Sequence, residues 1–151
     1  MYLNGEDVTG LIRTPEISMR ASEVSAMPEV RAYLLDMQRR MAERQSVIMD
    51  GRDIGTVVLP EASLKVFLTA SPERRAERRY RELRAKGAQD SYEQVLADII
   101  KRDENDSSRA AAPLKKAEDA VEVDTSELTL EESVERICLL IERVIGGERS
   151  E

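Results

Sequence analysis

The sequence predicts an α/β fold with a parallel sheet, because segments with strand character alternate with amphipathic helical patterns. Three short apolar segments have the length and the β-branched residues of strands, and they begin at Val47, Leu64 and Ala120. Helical patterns follow the second and the third of these segments. Crossover helices of this kind join parallel strands. The 151 residues, 41% of them hydrophobic, are enough for one ordinary domain with a core.

The first 45 residues predict a hairpin followed by two helices. Asn4-Gly5 is a dipeptide typical of tight hairpin turns. Thr14-Pro15 supplies a cap and a proline at the first helical position, so a short helix is expected to reach Ser25. Pro28 opens a second helix with an apolar stripe that we assign to the core: Val30, Leu34, Met37 and Met41.

The remaining helices carry their own start and stop signals. Ser71-Pro72 opens an arginine-rich helix that Lys86-Gly87 ends. Capping boxes at Ser91 and at Thr129 open two more helices. The first of these has an apolar face made of Tyr92, Val95, Leu96, Ile99 and Ile100. The second is expected to turn inward Leu130, Val134, Ile137, Ile141 and Val144, with Cys138 as a small buried side chain and Gly146-Gly147 as its end.

The composition excludes several classes of protein. The chain has no histidine, so catalytic triads and histidine-ligated metals are ruled out. The net charge of −7 speaks against general affinity for nucleic acid, and no DNA partner is expected. One cysteine cannot form a disulfide within the chain, which fits a reducing compartment. No apolar run approaches the ~20 residues of a membrane helix. We therefore expect a soluble, cytoplasmic protein without a membrane partner.

The segment from Val47 to Val58 is the first candidate binding site. Its Asp50-Gly51-Arg52-Asp53 sequence lies where the predicted strand ends, the place where ligands collect in α/β sheets. A guanidinium can bind phosphate through a fork of donors, and the adjacent carboxylate can accept hydrogen bonds from a base or sugar. Gly51 and Gly55 would allow close backbone approach and positive φ. The alternative is a tight turn whose charges pair with each other or face solvent.

A second candidate site lies near the end of the fourth predicted helix. If the helix continues, Arg102, Asp106 and Arg109 fall at positions i, i+4 and i+7 on one face. Two guanidiniums around a carboxylate suit a nucleotide, because the cations bind phosphate and the carboxylate binds hydroxyl groups. The alternative is a solvated face with helix ion pairs, each worth about 0.3 to 0.5 kcal/mol.

The arginine-rich helix is a basic strip in an acidic protein. Between Glu73 and Lys86 there are seven basic residues against three acidic ones. Four arginines could converge on the phosphates of a donor nucleotide: Arg74, Arg75, Arg78 and Arg79. The same residues would equally serve as solubilising charge or as a helix that faces RNA.

Taken together, these segments resemble the bacterial cytidylate kinases, which transfer the γ-phosphoryl group of ATP to CMP or dCMP. The resemblance implies a P-loop nucleoside monophosphate kinase-like three-layer fold with a parallel sheet. It rests on Leu3 to Val8, Arg13-Thr14-Pro15-Glu16, Ala21-Ser22 with Val24, Pro28-Glu29-Val30-Arg31, Asp50 to Val58 with Pro60, Thr69 to Glu73, Arg102-Asp103 through Asp106 and Arg109, and Ala112-Pro113-Leu114.

The resemblance also implies how the chain is divided. Residues 1–45 would be the remainder of the subdomain that binds the nucleoside monophosphate. Residues 46–151 would be the C-terminal part of the kinase core, with an arginine-rich lid at about residues 72–90. The substrates implied are CMP, dCMP and ATP, and Mg²⁺ would arrive with ATP because no protein ligands for a metal are evident.

Residue roles follow from the same resemblance. Four residues would recognise cytosine: Ser22, Arg31, Asp53 and Arg109. Arg52 would bind the phosphate of the monophosphate, while Arg102 and Asp106 would contact the sugar hydroxyls and the neighbouring phosphate. Arg78 and Arg79 would close over the donor phosphates. The residues expected to take part in catalysis are therefore Arg52, Arg78, Arg79 and Arg102.

One hallmark of the family has no match in this chain. The phosphate-binding loop G-x-x-x-x-G-K-[ST] is absent, together with the first strand that precedes it and would be central in the sheet. Three explanations remain open: a C-terminal fragment, a split enzyme whose loop is on a separate polypeptide, or a free-standing non-catalytic relative, which could form a homodimer that hides its exposed sheet edges. We expect no kinase activity from this chain alone, since the loop stabilises the transferred phosphates. The competing function is a non-catalytic module that binds RNA or another polyanion through the arginine-rich helix.

Overall fold

The computed structural model describes residues 1–25, 27–108 and 112–147, which form two compact units, Met1–Ile48 and Met49–Glu151. The first unit contains strands β1 (Tyr2–Leu3) and β2 (Glu6–Asp7) and helices α1 (Pro15–Ser25) and α2 (Pro28–Arg44). The second contains β3 (Val66–Thr69), α3 (Pro72–Ala85), α4 (Tyr92–Ser108), β4 (Val121–Asp124) and α5 (Leu130–Ile145). A 3₁₀ turn at Leu11–Arg13 and a π-helical turn at Ile54–Val58 complete the elements.

The first unit begins with the predicted hairpin. β1 and β2 are antiparallel, with Tyr2 opposite Asp7 and Leu3 opposite Glu6. Asn4 and Gly5 both have positive φ, 51° and 88°, as a two-residue turn between twisted strands requires. The Asn-Gly prediction is confirmed.

The apolar stripe of α2 is less buried than predicted. Val30 and Leu34 are half-buried, but Met37 and Met41 are exposed, and no described side chain of α2 is fully buried. Within this unit α1 is the helix that packs against α2, and one helix covers only part of a stripe four turns long. The assignment of Met37 and Met41 to the core is therefore wrong for this structure.

The second unit confirms an α/β arrangement with a parallel sheet. β3 pairs with β4 in parallel, and the register runs from Val66 opposite Val121 to Thr69 opposite Asp124. Between these strands the chain passes through α3 and α4, which pack on each other. The buried apolar side chains are few and small to medium in size: Val58, Ala70, Ala76, Val95, Val123 and Leu140.

The strand predicted from Val47 is not formed. Residues 46–50 have no strand pairing, and Ile48 is 92% exposed. A strand is stabilised by hydrogen bonds to a neighbour, and the parallel sheet in the described residues consists of β3 and β4 alone. β-branched residues are therefore not sufficient at this position, and the prediction is wrong.

The start of α5 is as predicted, but its buried face is rotated. Thr129 and Glu132 form the reciprocal capping box, and Ser91 and Gln94 make the corresponding bonds before α4. Leu140 is buried and Ile137, Ile141 and Val144 are half-buried. By contrast Leu130, Val134 and Cys138 are exposed, which corrects their predicted inward positions.

Among the described helices, none combines the length and the apolar character needed to cross a membrane.

Lys65 and Asp119 form an ion pair beside the sheet that gives stability a predictable pH dependence. The Lys65 side chain is 8% exposed, and its Nζ donates to both Asp119 oxygens at 2.8 and 2.7 Å. These hydrogen bonds lower the pKa of the Asp119 carboxyl. Because the folded pKa lies below the unfolded value of about 3.9, the stabilisation is complete above that pH. It is lost as the pH falls through the folded pKa.

We therefore expect Asp119→Asn to destabilise the chain at pH 7 and to have a smaller effect at about pH 3, below the unfolded pKa of the carboxyl. Urea unfolding at several pH values measures this directly. Asp98→Asn, at an exposed position on α4, is the matched control. The difference in unfolding free energy between this variant and the unmodified chain should not depend on pH in this way. An equal effect of Asp119→Asn at both pH values would contradict the assignment.

Candidate functional site

Two arginines from different parts of the second unit meet at one buried carboxylate. The Asp106 side chain on α4 is 3% exposed. Its Oδ2 accepts a hydrogen bond from Arg52 Nε at 2.8 Å and lies 3.8 Å from Arg102 Nε. We call these three residues the Asp106 cluster. The cluster brings together the two candidate sites of the sequence analysis, the segment around Arg52 and the end of α4. Arg52 and Asp106 are 54 positions apart in the sequence.

The local backbone explains how each side chain of the cluster is held. α4 continues to Ser108, so Arg102 and Asp106 are four residues apart on one helical face, as predicted. Leu114 N donates to the Asp106 carbonyl at 2.8 Å. Arg52 precedes the π-helical turn, in which the Asp53 carbonyl accepts from Val57 N and Val58 N.

The two glycines of this turn serve packing rather than positive φ. Neither Gly51 nor Gly55 has a positive φ, which corrects that part of the prediction. A Cβ built on Gly51 would lie 2.9 Å from Ile54 Cγ1, closer than real contacts allow. One on Gly55 would touch Lys65 Cδ at 3.4 Å. A side chain at position 51 would therefore require Ile54 to shift, whereas the contact at position 55 is an ordinary one.

The electrostatics of the Asp106 cluster favour an anion. The Arg52 and Arg102 side chains are 42% and 48% exposed, while the carboxylate between them is buried. One negative charge therefore orients two cations that both remain accessible to solvent. Guanidinium donors arranged in this way match the oxygens of a phosphate group.

The other predicted substrate-binding residues are placed as follows. Asp53 is half-buried and directly follows Arg52. Arg31, on α2 in the first unit, donates through Nη1 to the Ser25 carbonyl at 3.4 Å. Ser22 also belongs to the first unit, but its side chain lies outside the described residues, and so does the whole of Arg109. Roles for these residues remain predictions.

The two predicted lid arginines have different surroundings. Arg78 donates to the carbonyls of Thr125 and Leu128 and to Thr125 Oγ1, so its guanidinium holds the loop between β4 and α5. Arg79 makes an i, i+3 ion pair with Glu82 at 3.1 Å, within its own helix. Neither arginine makes a hydrogen bond or ion pair with the Asp106 cluster, so the structure does not bring the four predicted catalytic arginines to one point.

An ion pair that the sequence analysis did not predict adjoins Arg102 of the Asp106 cluster, and it occupies Arg75, one of the arginines considered for the donor phosphates. Arg75 on α3 makes a two-pronged contact with Asp103 on α4. The sequence contained an indication that Asp103 faces the interior, because it lies on one helical stripe with positions 95, 96, 99 and 106. Acidic residues that continue an apolar stripe are buried only when cations pair with them.

Comparison with known proteins shows the family of the chain. The model of the family described as cytidylate kinase matches residues 1–143. The chain belongs to the cytidylate kinase family. A cytidylate kinase from Carboxydothermus hydrogenoformans is 55% identical over 143 residues, which are 95% of this chain and 64% of that protein. The family resemblance seen in the sequence is confirmed.

Other members are similar over the same extent. A cytidylate kinase from Fervidobacterium nodosum is 53% identical over 93% of this chain and 64% of its own length. One from Caldicellulosiruptor bescii is 51% identical over 98% of this chain and 66% of its own length. The chain thus spans about two thirds of the length of these relatives.

Proposed function

We propose that this chain carries the acceptor side of a cytidylate kinase and binds CMP or dCMP with the phosphate at the Asp106 cluster. The whole protein would transfer the γ-phosphoryl group of ATP to the monophosphate, giving CDP or dCDP and ADP. The observation that carries the proposal is the pair of accessible guanidiniums held on one buried carboxylate. Relatives named cytidylate kinase support the choice of substrate.

The proposed mechanism uses positioning and charge. Arg52 and Arg102 would neutralise the acceptor phosphate and hold it for in-line attack, which needs no histidine base. Asp106 would keep both guanidiniums oriented and could accept a bond from a sugar hydroxyl. Ser22, Arg31, Asp53 and Arg109 would recognise cytosine. Arg79, and Arg78 if it leaves its loop contacts, would approach the donor phosphates.

Magnesium enters this proposal only as part of MgATP, where it would neutralise the donor phosphates. The described residues contain no group of three carboxylate or thiol side chains suited to a metal ion. The residues that we assign here bind and orient the acceptor. We further propose a cytoplasmic location, where a lone thiol stays reduced.

We also propose that turnover requires a further segment that carries the phosphate-binding loop. That segment would be part of a longer chain or of a separate polypeptide. If the protein is instead a non-catalytic relative, it would form a homodimer. The exposed apolar side chains of Leu68 on β3 and of Leu130 and Val134 on α5 support the need for another packed strand. In an assay of ADP formation with MgATP and CMP, we expect no turnover by the 151-residue chain. Robust turnover would refute this point.

Calorimetric titration with CMP tests the acceptor function, with UMP and AMP as controls at fixed salt. We expect selective binding of CMP, weakened at least tenfold in Arg52→Ala and unchanged in Arg81→Ala. Arg81 is a suitable control because it is exposed and pairs with Glu77 on its own helix. No CMP binding by a folded chain would contradict the proposal. Steeply salt-dependent RNA binding instead would favour the polyanion-binding alternative.

A further inference from the structure

The ion pair between Arg75 and Asp103 has a geometry that fixes both partners. Nη1 donates to Oδ1 at 3.0 Å and Nη2 donates to Oδ2 at 2.5 Å, the parallel two-bond arrangement of guanidinium and carboxylate. Arg75 Nε donates in addition to the carbonyl of Ala70, just after β3. Asp103 raises the pKa of Arg75 by accepting its hydrogen bonds. The guanidinium is therefore held between the end of a strand and a second helix.

This contact joins residues 28 positions apart, unlike the short-range pairs on the exposed face of α3. The pairs of Arg79 with Glu82 and of Arg81 with Glu77 lie within one helix and leave the packing of helices unaffected. Both side chains of the Arg75 pair are about two-thirds buried. The pair therefore bears on how α4 is oriented against α3.

The position of Asp103 on α4 connects it to the Asp106 cluster. It follows Arg102 directly and precedes Asp106 by three residues. Successive residues of a helix are separated by about 100°, so the direction of one side chain sets that of its neighbours. At the other end of α4, the Tyr92 ring meets Tyr80 edge-to-face at 6.2 Å. Two contacts near opposite ends hold α4 against rotation about its axis.

We propose that Arg75 and Asp103 are positioning residues of the acceptor site, because their two-bond contact sets the rotation of α4 and so keeps Asp106 in reach of Arg52. Without the contact, α4 remains a helix but loses one of the two contacts that hold its rotation. A rotation of 20° at a side-chain radius of about 6 Å moves Asp106 by roughly 2 Å, enough to break a 2.8 Å hydrogen bond.

The test is an NMR measurement of arginine Nε–H signals in the full chain without nucleotide. The Arg52 signal reports its bond to Asp106. We expect Asp103→Asn to shift this signal and to speed its exchange with water at least tenfold. Glu104→Gln, the next residue along and exposed, should leave the signal unchanged. An unaltered Arg52 signal in folded Asp103→Asn would overturn the proposal.

Arg75→Lys provides a second variant that keeps the positive charge and loses the two-bond geometry. It should shift the Arg52 signal in the same direction as Asp103→Asn does. The proposal can therefore still be tested if Asp103→Asn does not fold. An Arg52 signal identical to that of the unmodified chain in Arg75→Lys would show that charge alone suffices, which contradicts a role in setting rotation.

Calorimetry extends the test to the ligand and rests on the proposed function. Asp103→Asn should weaken CMP binding about tenfold, and Glu104→Gln should not. If the unmodified chain binds no CMP, the proposed function fails while the Arg52 signal still decides the positioning role. CMP binding unchanged in Asp103→Asn, with the unmodified chain binding CMP, would overturn the role of the pair in the acceptor site.

Discussion

Replacing Asp106 by alanine is expected to have the largest effect of any single substitution in this chain. The variant leaves Arg52 and Arg102 facing each other without the carboxylate that separates them. Removing one partner of a buried ion pair costs about 3 to 5 kcal/mol, but both arginines are nearly half exposed, so solvent reduces this. We expect the free energy of unfolding to fall by about 2 kcal/mol.

The same variant should lose CMP binding. Without the carboxylate, the two guanidiniums repel each other and are no longer held in one orientation. They therefore no longer bind the same phosphate group together. We expect the dissociation constant for CMP to rise about a hundredfold, which corresponds to about 2.7 kcal/mol. Asn105→Ala, on the exposed face next to Asp106, is the matched control and should retain both stability and affinity. Unchanged CMP affinity in a folded Asp106→Ala variant would show that the cluster does not bind the acceptor.

Arg78→Ala is expected to have the second largest effect, and on stability. Arg78 donates to two carbonyls and one hydroxyl of the loop that begins α5. Thr125 is itself buried and donates through Oγ1 to the Thr69 carbonyl, so this loop joins the ends of β3 and β4. Hydrogen bonds that involve a charged group are worth about 1.5 to 3 kcal/mol. We expect a loss of about 2 kcal/mol in urea unfolding.

Arg79→Ala is the natural comparison because it removes the adjacent arginine of the same helix. Its exposed pair with Glu82 is worth less than about 1 kcal/mol, so stability should hardly change. The comparison separates an arginine that holds the loop between β4 and α5 from one that pairs within its own helix. Equal unfolding curves for Arg78→Ala and the unmodified chain would contradict the role we assign to Arg78, and would return it to the set of candidate phosphate ligands.

The sequence predicted best what is decided by nearby residues. Asn4-Gly5 makes its hairpin turn, Ser91 and Thr129 cap their helices, and α4 reaches far enough to place Arg102 and Asp106 on one face. These features depend on backbone dihedral angles and on hydrogen bonds within one turn. Both are determined by residues that are close together in the sequence.

The errors concern features that need a distant partner. The Val47 segment has strand-forming residues but no neighbouring strand among those described, and Cys138 lies on a flank of α5 that the described residues leave exposed. The ion pairs of Arg52 with Asp106 and of Arg75 with Asp103 were likewise not evident from spacing, because they join residues 54 and 28 positions apart. The family resemblance selected Arg52 and Asp106 as ligands, but the bond between them is a finding of the structure.

The most direct test of a CMP site at the Asp106 cluster is a crystal structure of this chain with CMP. We predict the CMP phosphate within about 3 Å of the guanidinium nitrogens of Arg52 and Arg102, with Asp106 still bonded to Arg52. A CMP molecule whose phosphate lies instead on the arginines of α3, or away from Asp106 altogether, would contradict the central claim.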